Sequence, residues 1–183
     1  AYATLWAPGH RETHPVRSRA FRQWLSKRMW DTEERTPSSQ ALHDAIGTLE
    51  GIAVFGGPEY PVFVRLAEHD SAIYLDLCDA DWRVVKITAD GWQIGTDPPV
   101  HFIRAADMRP LPPPQPGGTL GQLRDFVRVP TDDDWYLYVS WLVAALRPTG
   151  PYPVLAVYGE HGTAKSTAER VAVSLIDPRK APL

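Results

Sequence analysis

One cysteine, Cys78, stands in a chain of 183 residues. A single thiol cannot close an internal disulfide or build a Cys-based zinc site, so nothing here argues for an oxidising compartment. No apolar run approaches the roughly 20 residues that span a bilayer, and no signal-peptide pattern opens the chain. A cytoplasmic protein without a membrane partner is the expectation. The chain also starts without Met, which reads as a cut end. Charge of one sign is equally scarce, since the formal net charge is only −3, and this gives no global electrostatic case for nucleic acid.

What is present is an ordinary globular composition, 44% hydrophobic and 22% charged, with length for one domain or a domain plus part of another. The charge is uneven. Residues 1–35 carry seven basic side chains, Arg11, Arg17, Arg19, Arg22, Lys27, Arg28 and Arg35, against four acidic ones.

"AYATLWAPGHRETHPV" predicts two short strands about a PGHR turn. Residues 17–31 predict a helix with Phe21, Trp24, Leu25 and Met29 on one face and Arg19, Arg22, Gln23, Ser26 and Lys27 on the other. A second helix follows, capped by Thr36 or Ser38, with Ala41, Leu42, Ala45, Ile46 and Leu49 as its buried stripe. From residue 60 to 104 the period changes to two. Strands near 61–67, 72–77, 83–88 and 91–94, plus one at VHFIRA, predict an antiparallel meander, so residues 1–106 read as an α+β domain.

Residues 107–118, "DMRPLPPPQPGG", hold five prolines and two glycines and read as a stiff linker, with a polyproline ligand as the alternative. Residues 119–183 then predict a short helix at TLGQLRDFVRV and a longer one over TDDDWYLYVSWLVAALRP. Thr131 caps the longer helix and Asp134 reaches back. Trp135, Leu137, Tyr138, Trp141, Leu142 and Ala145 leave it little polar face, which points to a missing partner surface.

The most informative stretch is "GEHGTAKS", residues 159–166, after the apolar run VLAVY. A strand ending on glycine, a small-residue loop and Lys-Ser opening a helix is the pattern of a phosphate-binding loop. Gly159 lets the chain leave the strand. The N–H groups of Glu160, His161, Gly162, Thr163 and Ala164 would curl round phosphate at the positive end of the helix, whose apolar stripe is Ala168, Val171, Ala172 and Leu175. Lys165 would reach the β- and γ-phosphates of ATP, and Ser166, followed by Thr167, would place its hydroxyl on Mg²⁺. The usual glycine before the lysine is replaced by Ala164. The bland reading is a loop entering a helix that happens to begin with lysine.

The run "LVAALRPTGPYPVLAVYGEHGTAKSTAERVAVSLIDP" resembles P-loop ATPases of phages, prophages and mobile elements, of the helicase-primase type. "FRQWL" and "PSSQALHDAI" resemble the N-terminal region of such proteins, and the resemblance makes Ala164 a family habit. It implies an ATP-binding, helicase-like hydrolase acting on nucleic acid in DNA replication. No acidic strand end or arginine finger follows the loop. The chain therefore reads as an N-terminal fragment, an α+β domain plus an incomplete P-loop βα unit, inactive alone and self-associating through the incomplete core. Alternatives are a non-catalytic nucleic-acid or partner-binding module with a vestigial loop, and a P-loop kinase or transferase. Any nucleic-acid contact falls to Arg19, Arg22 and Lys27, though a solvated helix face is the simpler reading. Glu68, His69, Asp70 and Asp76 could be imagined as metal ligands, but they read as turn residues, as do His10 and His14. Cys78 reads as a buried small hydrophobe.

Overall fold

In a computed structural model, residues 1–159 and 165–180 are described. The fold is α+β and its contacts divide it into two compact units, residues 1–63 with 99–103, and residues 64–98 with 104–183. This division does not follow the sequence boundary at 107–118, because the four-stranded sheet belongs with the C-terminal helices. Among the described residues no helix is long and apolar enough to cross a membrane.

The first unit opens with an antiparallel hairpin, β1 (Tyr2–Ala7) and β2 (His10–Pro15). Gly9, at φ 86°, takes the left-handed turn position that glycine adopts without penalty. Helix α1 (Arg19–Glu33) begins at Ser18, whose hydroxyl accepts from the Phe21 N–H, and buries Phe21 with Trp24, Leu25 and Met29 half-buried behind it. Helix α2 (Ser39–Phe55) is capped by Ser38 in the same way. Its expected stripe is largely uncovered: Ile46 is buried and Leu42 half-buried, while Ala41, Ala45 and Leu49 are exposed. The core of this unit is small, built on Leu5, Val16, Phe21 and Ile46, so it has little surface against which to cover a whole helical stripe. Gly56 caps the end of α2, its N–H donating to the Ile52 carbonyl, and at Gly57 a Cβ would meet the Ala53 carbonyl oxygen at 2.8 Å. Two short strands, β3 (Val62–Phe63) and β8 (His101–Phe102), pair in parallel.

In the second unit β4 (Leu66–His69), β5 (Ala72–Asp76), β6 (Val84–Thr88) and β7 (Gly91–Gly95) form the antiparallel meander. The meander is shorter than expected. Arg65, at φ 64°, breaks the chain between β3 and β4, and β8 does not join this sheet. Leu77, Val85 and Leu111 form one cluster. The proline-rich stretch is thus fastened along its first half: Leu111 N–H donates to the Leu77 carbonyl, Arg109 N–H to that of Pro178, and Met108 is buried.

A 3₁₀ turn (Leu120–Asp125) replaces the expected short helix. Helix α3 (Asp132–Ala145) starts at Thr131, whose hydroxyl accepts from Asp134 N–H at 3.1 Å and donates to the Asp134 carboxylate at 2.7 Å. Trp135, Tyr138 and Leu142 pack with Val127 against Ala168 and Ala172 of helix α4 (Lys165–Ile176). Small residues on α4 let the aromatic ridge of α3 approach closely, and Tyr138 closes the contact by donating to the Ala168 carbonyl at 3.1 Å. Leu137, expected on the buried side, is 70% exposed.

Candidate functional site

The predicted phosphate loop lies between Tyr158 and α4. Glu160, His161, Gly162, Thr163 and Ala164 lie outside the described residues. Gly159 ends the preceding segment, and Lys165, Ser166 and Thr167 form the first turn of α4. The Lys165 ammonium donates to the Gly159 carbonyl at 2.7 Å. Ser166 and Thr167 are exposed. The first N–H groups of a helix lack intrahelical partners and carry the positive end of its dipole, and here the first turn also carries a cation and two hydroxyl side chains. That donor set suits a phosphate chain. It also suits Mg²⁺ that arrives with a nucleotide, since Mg²⁺ takes few protein ligands when phosphates supply oxygens. Among the described residues no group of three His, Cys, Asp or Glu side chains could hold a metal ion without that help.

The strand expected at VLAVY is not formed. Among the described residues Pro151–Tyr158 makes no strand pairing, and Val154 and Tyr158 are 90% and 89% exposed. A buried-type strand needs flanking strands to take its N–H and C=O groups, and this segment is not a member of the four-stranded sheet β4-β5-β6-β7. The segment lines an apolar groove of about 640 Å³ with α3 residues Leu137, Tyr138 and Trp141, and the Trp141 indole N–H donates to the Pro153 carbonyl at 2.8 Å.

At its other end α4 is anchored by a network that the sequence reading missed. The buried Arg65 guanidinium donates to the Asp177 carboxylate at 3.0 Å and to the Asp76 and Arg109 carbonyls at 3.0 and 2.9 Å. Asp76, wholly buried, accepts a two-pronged contact from Arg104 at 2.9 and 2.5 Å, and Arg104 stacks on Trp82 at 3.8 Å. Arg179 grips Asp177 at 2.6 and 2.9 Å and Asp107 at 3.1 Å. Asp76 is therefore spent on Arg104 and stands apart from a metal role, while His69 ends β4, paired with Ala72, and Asp70 with Ser71 forms the exposed β4–β5 turn. Cys78 is half-buried, and burial pushes its thiol up.

In the first unit Arg19 and Arg22 are exposed on α1, with Lys27 paired to Asp31 on the same helix. Arg17 is held by Glu50 at 2.5 and 2.9 Å. His10 and His14 both contact Glu12, at 2.9 and 2.6 Å. Burial raises the Glu12 carboxyl, but the hydrogen bonds from His14 and then His10 outweigh it and leave the pKa lowered. No protein-family model, curated protein or solved structure matches the chain.

Proposed function

We propose that residues 159–167 bind the phosphates of ATP or a related nucleotide with Mg²⁺, as the phosphate loop of a helicase-like P-loop ATPase that acts on nucleic acid. The observation that supports this most is the hydrogen bond from the Lys165 ammonium to the Gly159 carbonyl. Lys165 occupies the first position of α4 and its ammonium reaches the Gly159 carbonyl, which it would exchange for β- and γ-phosphate oxygens. Ser166 would contribute a hydroxyl to Mg²⁺, which neutralises phosphate charge when bound. Arg19 and Arg22, with Lys27, offer a cationic helix face for a nucleic-acid backbone.

The test is nucleotide binding by this chain, measured by isothermal titration with Mg-ATP, Mg-ADP and AMP. ATP and ADP should bind and AMP should bind far more weakly, because the lysine reads phosphates beyond the first. Lys165→Ala should abolish ATP binding and leave the far-UV circular dichroism unchanged. Equal binding of ATP by that variant overturns the reading.

A further inference from the structure

The hairpin of the first unit has two unlike faces. Its register puts Tyr2, Thr4 and Trp6 of β1 beside Arg11 and Thr13 of β2, while Ala3 and Leu5 turn to the core with Phe21 and Ile46. Alternate residues of a strand stand roughly 7 Å apart, so Tyr2 and Trp6 mark out about 14 Å. Around Thr4 an open cleft of about 760 Å³ is lined by Tyr2, Thr4, Thr13, Glu59, Tyr60 and His101, among others. The Thr4 hydroxyl lies 3.1 Å from that of Thr13 and 3.2 Å from His101 Nδ1, and the Tyr60 ring leans on the imidazole with centroids 5.5 Å apart. Burial, and then the charge of Arg11, hold the His101 pKa below its usual value, so the ring enters the cleft neutral at pH 7.

Folding leaves the aromatic rings here uncovered. Trp6 is 70% exposed, Tyr60 65% and Tyr2 45%, and Arg11 lies over the Trp6 ring at 5.6 Å. Three exposed rings, a neutral imidazole and hydroxyls able to pair with base edges, and an arginine at one end are the parts that single-stranded nucleic acid uses. Duplex binding needs a cationic stripe to neutralise many phosphates. The hairpin face has none: Arg11 is its basic side chain, Glu59 stands in the cleft, and residues 1–63 as a whole balance seven basic against seven acidic side chains.

We propose that the Tyr2–Trp6–Tyr60 face is a base-stacking platform for single-stranded nucleic acid. It is distinct from the cationic face of α1, and it does not depend on the phosphate-loop reading, since every residue in it belongs to the first unit. The probe is a fluorescein-labelled oligothymidylate followed by anisotropy at low salt, beside a mixed-sequence duplex of equal length. The single strand should bind and the duplex should bind at least ~10-fold more weakly. Trp6→Ala and Tyr60→Ala should each cost roughly 10-fold, while Trp6→Phe and Tyr60→Phe, which keep a ring, should stay within about threefold. The slope of log affinity against log salt should be shallow, about −0.7 for one phosphate contact to a single strand. Absence of single-strand binding, equal binding of the duplex, or unchanged affinity in folded Trp6→Ala and Tyr60→Ala variants overturns the proposal.

Discussion

Arg104→Ala should be among the most damaging single substitutions in the second unit. The Asp76 side chain has no solvent exposure and that of Arg104 only 13%. The guanidinium supplies two charge-assisted bonds to the carboxylate and a third to the Asp79 carbonyl, and it packs flat on Trp82. Truncation leaves Asp76 a buried anion with the Cys78 N–H, at 3.0 Å, as its remaining donor. Stranding one member of a buried pair costs about 3–5 kcal/mol. The partial exposure of Arg104 lets water reach the gap, which favours the lower end, about 3 kcal/mol. For a chain of this size that is a fall in Tm of roughly 6–12 °C.

Urea unfolding followed by tryptophan fluorescence reads the change directly, since Trp82 loses its stacked cation. Arg104→Lys should fall between, because an ammonium keeps the charge but neither the fork nor the stack. The double variant Arg104→Leu with Asp76→Leu should recover most of the loss, since removing both charges removes the desolvation penalty as well. A loss below about 1 kcal/mol for Arg104→Ala, or a double variant no better than the single one, would refute the reasoning.

Ala172 is 1% exposed beneath the aromatic ridge of α3, so Ala172→Leu should destabilise by about 1–3 kcal/mol through overpacking, read by thermal unfolding. Tyr138→Phe removes the bond to the Ala168 carbonyl and should cost about 1 kcal/mol. Gly57→Ala should be destabilising because its Cβ has no room beside Ala53, and the same unfolding curves check it. The depressed His101 pKa means that the unfolded chain takes up a proton first as pH falls below 6.5. Its contribution to stability is therefore lost on acidification from that point, and NMR titration should place His101 below 6.5. Glu12, also depressed, keeps its contribution above 4.5 and loses it as pH falls through its lower folded value, an acid dependence that Glu12→Gln should remove.

Local signals were legible in the sequence and long-range ones were not. The Ser38 and Thr131 caps, the stripe of α1 and the alternation of β4–β7 are each set within a few residues, by hydrogen bonds and periodicities the sequence displays. The start of α4 at Lys165 is of the same kind. VLAVY misled because a run of β-branched and apolar residues states a preference for burial, whereas a strand exists only where a neighbour accepts its ladder. The stripe of α2 misled similarly: helical spacing says which residues could be buried together, and the size of the surface opposite says how many are. Arg65 and Asp177 are separated by 112 positions, and no periodicity announces their pairing. Arg65 did carry one retrospective sign, a positive φ at a non-glycine residue, because the network it makes offsets a backbone cost of order 1–3 kcal/mol.

The proline-rich stretch shows how such long-range fastening changes the meaning of a composition. Prolines at 110 and 112–114 remove N–H donors and favour an extended chain, which on its own describes a spacer. Leu111 lies between them and retains its N–H, and that donor goes to the Leu77 carbonyl while its side chain enters the cluster with Val85. Two residues earlier Arg109 N–H reaches the Pro178 carbonyl, and Asp107 takes both the Arg179 guanidinium and the Lys180 N–H. The residues just past α4 are thereby tied to the segment that follows Arg104, and through Arg65 to the end of β5. A helix fixed at its C-terminal end by Asp177 and along one side by Trp135, Tyr138 and Leu142 keeps its first turn in a defined place without a flanking strand. If Lys165 binds nucleotide as proposed, loosening Asp177, as in Asp177→Ala, should therefore weaken that binding while leaving every group in the loop present. Unchanged nucleotide affinity in a folded Asp177→Ala variant would show that the first turn is positioned by α3 alone.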